Sequence, residues 1–350
     1  MYLIDTPLYV GTLQLHNRLV LPPMASGKPD EAGHVTDGML RYYAEKSQGG
    51  CLALVIAEHA YVSLQGRAHK NQLSIASDET IPGLARLASV VHQNGGKIFA
   101  QISHAGGAAK PDETGLPVLA PSSCAEGRVQ AEREAAPEEL RLVARQFADA
   151  AVRAQEAGFD GVEIHSAHGY LLNQFYSPLT NRRTDGYGGE VQGRIRLHRE
   201  VIRAVREAVG PDYPLSLRLG VYDDCPGGNG MEQAVAAGRA LCAEKIDLLS
   251  VTGGMTGYLV KGREGQQGHF QDISAALKQA VDTPILLTGG ITEIQAAEAL
   301  LESGKADLIG VGRAMLRNSH WAEQALRELH HGPEGEVTTG KHGSKQNFAV

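Results

Sequence analysis

Residues 284–315 read PILLTGGITEIQAAEALLESGKADLIGVGRAM, and this stretch decides the fold. Pro284–Ile291 is an apolar run that ends in Gly289-Gly290, Ile294–Ser303 carries apolar residues at helical spacing, and Leu308–Met315 is a second apolar run that ends in Gly312-Arg313. A strand that is apolar at nearly every position is buried on both faces, as in a parallel sheet, and parallel neighbours need a crossover such as the helix between them. Thr292, with Gln295 three residues on, has the spacing of a helix-opening cap.

Working outward, the same unit recurs. Arg18–Met24 (RLVLPPM), Cys51–His59 (CLALVIAEH), Lys97–His104 (KIFAQISH), Gly161–His168 (GVEIHSAH), Leu215–Val221 (LSLRLGV) and Leu248–Gly254 (LLSVTGG) bring the number of such runs to eight. Helical spacing follows them at Met39–Ser47, Ile81–Gln93, Glu138–Ala157, Gly193–Ala208, Glu232–Ala243, Ile273–Val281, Ile294–Ser303 and His320–Leu329. Eight β-then-α units with right-handed crossovers close into a (β/α)8 TIM barrel, an α/β fold. A doubly wound sheet is the competing arrangement. It requires a Gly-x-Gly-x-x-Gly turn after the first strand, and Leu21–Gly33 contains none. Leu8–Leu15 (LYVGTLQL), with Gly11 at the turn, predicts a short β-hairpin capping the N-terminal mouth. The expected organisation is one barrel over residues 1–331 and a flexible tail over 332–350, where periodicity ends.

Composition narrows the function. With 42% hydrophobic and 21% charged residues in 350, the chain has the mix of a globular protein. Its net charge, 33 − 40 = −7, and the lack of long Lys/Arg runs argue against nucleic acid. The apolar runs are strand-sized and Met1–Thr12 has no signal-peptide pattern, so no membrane association and a cytoplasmic location are expected. Cys51, Cys124, Cys225 and Cys242 are too few and too scattered for a disulfide framework, a zinc ribbon or an iron–sulfur cluster. The 42 glycines imply many tight turns or a ligand site built from backbone. A homo-oligomer is compatible with all of this.

In such a barrel the active-site groups come from the C-terminal ends of the strands. Those positions hold Pro23, Met24, Ala25, Glu58, His59, Gln101, His104, His165, His168, Tyr170, Arg218, Gly253, Gly254, Gly289, Gly290, Gly312 and Arg313. Donors dominate and carboxylates are scarce, so paired-acid glycoside chemistry has no support. The densest feature is His165-Ser-Ala-His168-Gly-Tyr170. A lone buried histidine often does no more than satisfy backbone, but two imidazoles and a phenol within six residues can hold an oxygen that becomes negative and deliver a proton beside it. A zinc hydrolase using His165 and His168, with His59 or His104 recruited, is the metal alternative.

The glycines of Leu287–Ile291 and Gly310–Arg313 end the seventh and eighth runs, where loops of such barrels bind phosphate through backbone N–H groups. Tight turns are their plain structural explanation. Arg313 adds a charge-assisted donor. A phosphate beside a donor-rich centre suggests flavin mononucleotide (FMN), with Arg218 offsetting charge on a reduced ring and Gln101 bonding the pyrimidine edge. The loop 262–268, with Arg263, follows the sixth run at the same face.

These residues resemble the old yellow enzyme family of FMN-dependent ene-reductases over about residues 3 to 330. The matching segments are His16–Met24 (HNRLVLPPM), Gln101–Gly106 (QISHAG), His165–Phe175 (HSAHGYLLNQF), Ser177–Gly189 (SPLTNRRTDGYGG) and Gly310–Arg313 (GVGR). The resemblance implies that NADH or NADPH reduces FMN and that an activated alkene, an α,β-unsaturated carbonyl, is then reduced at its C=C bond. His165 and His168 would grip the carbonyl oxygen and Tyr170 would protonate the α-carbon. Pro23, Met24, Gln101, Arg218, Gly289, Gly312 and Arg313 carry over to FMN, and Ala25, His59 and Gly290 join them by position. Related bacterial members often have Cys after the Pro-Met pair and Tyr two residues later, where this chain has Ala25 and Gly27. His59 stands where small residues are common. Without cluster cysteines, electrons are expected to come straight from the nicotinamide. A non-catalytic flavin sensor is the binding-module alternative.

Overall fold

The structure, a computed structural model, describes residues 1–123 and 129–332. Residues 333–350 of the expected tail, and Cys124, lie outside the described residues. Among the described residues there are ten strands: β1 (Leu8–Val10), β2 (Leu13–Leu15), β3 (Leu19–Leu21), β4 (Leu54–Tyr61), β5 (Lys97–Ser103), β6 (Gly161–Ser166), β7 (Leu215–Tyr222), β8 (Leu248–Gly253), β9 (Ile285–Leu287) and β10 (Leu308–Gly310). β1 and β2 form the antiparallel hairpin, with Gly11 at φ +58°. β3 to β10 pair in parallel and in order, and Ile309 against Leu19 with Gly310 against Val20 closes the barrel. The eight runs are the eight barrel strands, and the expected (β/α)8 barrel is the observed fold.

The unbroken apolar pattern follows from two buried faces. Val20, Leu54, Ile56, Phe99, Leu248, Leu286 and Leu308 fill the lumen in one cluster. Their strand neighbours Leu19, Leu21, Val55, Ile98, Leu249, Leu287 and Ile309 join the larger core against the helices. Side chains alternate across a strand, so one residue serves the lumen and the next serves the helical layer. Val10 and Leu15 of the hairpin, both fully buried, belong to the lumen cluster and plug its N-terminal end. Gly161 is forced by this packing, since a Cβ there would lie 2.5 Å from the Phe99 ring.

Helices follow the strands near their expected bounds, among them Asp37–Ser47, Ile81–Gln93 and Pro137–Glu156. Thr36 caps the first, accepting from the Met39 amide at 3.2 Å. The span expected at Gly193–Ala208 is instead two helices, Val191–Arg194 and Arg196–Val209. The Thr292–Gln295 cap does not form. Thr292 Oγ1 accepts from Gln267 Nε2 at 2.9 Å, Gln295 donates to Glu328, and Glu293 precedes the helix without a side-chain cap, so tertiary partners replace the local one. Among the described residues no helix is long and apolar enough to cross a membrane.

Phe99→Ala should cost about 3–5 kcal/mol, because the ring is fully buried in a lumen closed at its lower end. A fall in the denaturant midpoint at unchanged slope checks this; a loss under about 1 kcal/mol would show that the lumen repacks.

Candidate active site

Above the apolar layer the lumen turns polar. Gln101, Glu163 and Ser216 stand side by side on β5, β6 and β7, with His165, Arg218 and Ser250 one row higher. Gln101 Nε2 donates to Glu163 Oε1 at 2.8 Å and Ser216 Oγ donates to Oε2 at 3.0 Å. Burial pushes the Glu163 carboxyl above its ordinary range, opposed by the Arg218 charge and by these two hydrogen bonds. Burial likewise lowers the Arg218 guanidinium, opposed by Glu163. Arg218 Nη2 donates to Thr252 Oγ1 at 3.5 Å, while its buried Nε and Nη1 have no protein partner.

β6 ends in a sharp turn. His168 adopts φ +56° and Gly169 φ +74°, and the Tyr170 amide donates to Ala167 O at 3.1 Å. A non-glycine residue in this region is uncommon, and the conformation is held by its surroundings. Asn173 Oδ1 accepts from the Gly169 amide at 2.8 Å. Gln174 Nε2 donates to Ala105 O and Gly169 O, and its Oε1 accepts from the Gly107 amide. The turn gathers the three predicted side chains: the His165 ring lies 5.3 Å from His168 and 5.2 Å from Tyr170, centroid to centroid. His168 Nε2 is 3.0 Å from Thr252 Oγ1.

Pro23 and Met24 are half-buried and Ala25 is exposed, in the loop after β3. Gly27, at φ +65°, has open space where a side chain would stand. The loop is tied down by Glu58, 1% exposed, which accepts from the Ser26 amide at 3.0 Å and from Ser26 Oγ at 2.5 Å. Burial pushes the Glu58 carboxyl up to about 7, against the pull of Ser26 and Lys28. His59, next in the strand, reaches Tyr170, its Nε2 3.2 Å from Oη.

On the opposite wall Gly289 and Gly290 have φ +112° and +74°, and added Cβ atoms would lie 2.9 Å from the His269 ring and 2.6 Å from Gln266 O. The His269 amide donates to Gly289 O, and Arg263 Nη1 donates to His269 O at 2.9 Å. Burial lowers the His269 imidazole, and the charges of Arg313 and Arg263 press the same way. A Cβ on Gly312 would lie 3.1 Å from Met24 Sδ, where β10 meets β3. The loops after β8, β9 and β10 therefore form a backbone cradle with two cations beside it.

Sequence reasoning named the strand-end residues but missed Glu163, Ser216, Thr252, Ser26 and His269. Glu163 alone left a trace, as an acid inside an apolar run. His104, a possible fourth ligand, is not in the site: its ring is fully buried, Nδ1 accepts from the Gly106 amide at 3.0 Å, and burial holds the imidazole down to about 4. Among the described residues no three His, Cys, Asp or Glu side chains are grouped to hold a metal ion. The motif Ser177–Gly189 lies in the scaffold: Arg183, 4% exposed, donates to Pro121 O and Ala135 O and pairs with Asp185 at 2.6 Å.

The residues present fit FMN: the glycine loops and Arg313 would take its phosphate, and the buried Nε and Nη1 of Arg218, without a partner among the described residues, would face its ring. Fold and site together define a (β/α)8 barrel with a donor-rich polar site at the C-terminal ends of its strands. The family model for the NADH:flavin oxidoreductase / NADH oxidase family matches residues 4–331. The chain is 38% identical over 323 residues to an "NADH oxidase" of Thermoanaerobacter brockii, covering 90% of this chain and 49% of that protein. It is 34% identical over 321 residues to an "NADPH dehydrogenase" of Halalkalibacterium halodurans, covering 91% and 93%. The old yellow enzyme homologue from Zymomonas mobilis superposes with a TM-score of 0.81 at 28% identity, covering 94% and 93%. The chain thus spans about half of the first relative and nearly all of the other two. It belongs to the NADH:flavin oxidoreductase / NADH oxidase family, the family of the old yellow enzymes, which use FMN with NAD(P)H as hydride donor.

Glu58 sets a pH signature. With its carboxyl raised from 4.5 to about 7, the folded chain holds a proton between those values that the unfolded chain releases, so its contribution to stability is lost as pH rises through that window. Glu58→Gln should flatten this slope, changing the stability difference from the parent by on the order of 3 kcal/mol between about pH 4.5 and 7.5. Denaturant midpoints across that range check it, and parallel curves would place the titration elsewhere.

Proposed function

We propose that this chain is an FMN-dependent, NAD(P)H-driven ene-reductase that reduces the C=C bond of an α,β-unsaturated carbonyl compound. The observation that carries the reading is the cluster at the end of β6 in which the His165 ring lies 5.3 Å from His168 and 5.2 Å from Tyr170, beside Arg218. Held by Gln101 and Arg218 at its ring and by Arg313 and the glycine loops at its phosphate, FMN would supply the hydride chemistry that links the nicotinamide to the β-carbon of the alkene.

The protein's own part is to hold and polarise. His165 and His168 present ring nitrogens to one oxygen, and their hydrogen bonds strengthen as that oxygen gains negative charge. Preorganisation comes from the strained φ of His168 and from Thr252 against its Nε2. Tyr170, 7% exposed, supplies the proton for the α-carbon. A phenol with a reference pKa of about 10 is acidic enough for a carbanion-like centre. Arg218 brings a positive charge to the floor, and Glu163 keeps the charge there from standing alone.

Purified protein loaded with FMN should be yellow, bleach anaerobically with NADH or NADPH, and regain colour with cyclohexenone. Tyr170→Phe should keep the bleaching step and slow the recovery by about 10²-fold or more. Bleaching without recovery by any activated alkene would leave a flavin-binding protein of another kind, and equal loss of both steps in Tyr170→Phe would remove the tyrosine from its role.

A further inference from the structure

Proton donation leaves Tyr170 with a problem that its surroundings make acute. Its ring packs with Ala68, Ala105 and Ala109 in a small buried apolar cluster. A phenolate stranded there would be an under-solvated anion, which is costly unless a neighbour neutralises it. The neighbour within reach is His59. Its Nε2 lies 3.2 Å from Tyr170 Oη, its ring centroid 5.5 Å from that of the tyrosine, and it is only half-buried. Gln72 Nε2 donates to His59 O at 3.3 Å and steadies the strand end.

We propose that His59 relays protons from solvent to Tyr170, restoring the phenol after each turnover; this rests on the reading of Tyr170 as the acid of an alkene reduction. In the relay the Nε2–H bond of the imidazolium breaks and the O–H bond of the phenol forms, with no electron transferred. The neutral imidazole keeps its hydrogen on Nδ1 and regains a proton at the vacated Nε2 from a water that reaches this corner, the hydroxide so formed leaving to solvent. Water has a route to this corner: a cleft of about 600 Å³ is lined by Tyr170, His69, Gly107 and Lys110 among others, and the half-exposed His69 ring stands 5.5 Å from His59. Titratable groups beside His59 include His69 on the loop after β4, and His165 at 6.2 Å and Tyr170 from the end of β6. Glu58, the preceding residue, is turned to Ser26 instead. His59 is therefore a positioning and relay residue for the proton step and does not touch the alkene.

The test compares FMN-loaded parent, His59→Ala, His59→Gln and Tyr170→Phe. The rates of anaerobic bleaching by NADPH and of recovery with cyclohexenone are each followed between about pH 5 and 9. In the parent, recovery should slow as pH rises through the range where imidazoles lose their proton. In His59→Ala and His59→Gln the ratio of recovery to bleaching should fall by about tenfold or more and that pH limb should vanish. Added imidazole should restore part of it in His59→Ala. Glutamine keeps a hydrogen bond without titrating, so it carries the comparison if the alanine variant folds poorly. Independently of turnover, the ring ¹⁵N signals of His59, identified by their loss in His59→Gln, should titrate differently in Tyr170→Phe. A ratio and pH profile like the parent's, or His59 signals indifferent to Tyr170, would overturn the relay and leave the ene-reductase reading standing. A parent that bleaches but never recovers would overturn both.

Discussion

A carboxylate and a guanidinium buried one row apart in the same barrel lumen set the terms for the rest of the site. Glu163 is fully enclosed and Arg218 is 5% exposed. Neither charge is tolerable there alone, because removing one partner of a buried pair leaves the other uncompensated at a cost of about 3–5 kcal/mol. Gln101 and Ser216 each donate one hydrogen bond to the carboxyl group, from the two flanking strands. The result is a rigid polar floor on three adjacent strands. Above it, two guanidinium nitrogens have no protein partner. A buried donor without an acceptor is costly, and an electron-rich group bound across the floor would satisfy it.

The division of labour between strands and loops follows from that floor. His165 and Arg218 are paired strand residues. His168 and Tyr170 come from the turn beyond β6, which runs through two successive positive φ values. That turn is not left to itself. Gln174 bridges it to the loop after β5, and Gly106 is glycine because a Cβ there would lie 2.6 Å from Gln174 Oε1. Two of the motifs by which the family is recognised, QISHAG and HSAHGYLLNQF, are thus halves of one hydrogen-bonded scaffold as much as a store of reactive groups.

The barrel was legible in the sequence because a strand buried on both faces has no polar alternation to confuse its reading, and eight such runs with helical spacing between them leave few closures. The hairpin plug was legible at Gly11 for the same local reason. What stayed hidden depended on distance in the chain. Glu58 stood among the strand-end residues without a role, since its partner Ser26 is 32 residues away and comes close only when the barrel closes. His269 lies in a loop with no periodicity, and it becomes part of the cradle wall only through its contacts with Gly289. The Thr292 cap failed for the converse reason: a local pattern was outcompeted by Gln267, a partner supplied by the tertiary structure.

His59 and Gly27 illustrate how one pocket can be retuned without altering its floor. In the loop after β3, Ala25 is exposed and open space stands beside Gly27. β4 carries an imidazole that reaches the Tyr170 hydroxyl. That imidazole is held by a barrel strand, and strands hold a side chain more firmly than loops do. On the proposed reading of Tyr170 as the acid, a change at His59 bears on the proton step and leaves the floor of Gln101, Glu163 and Ser216 as it is.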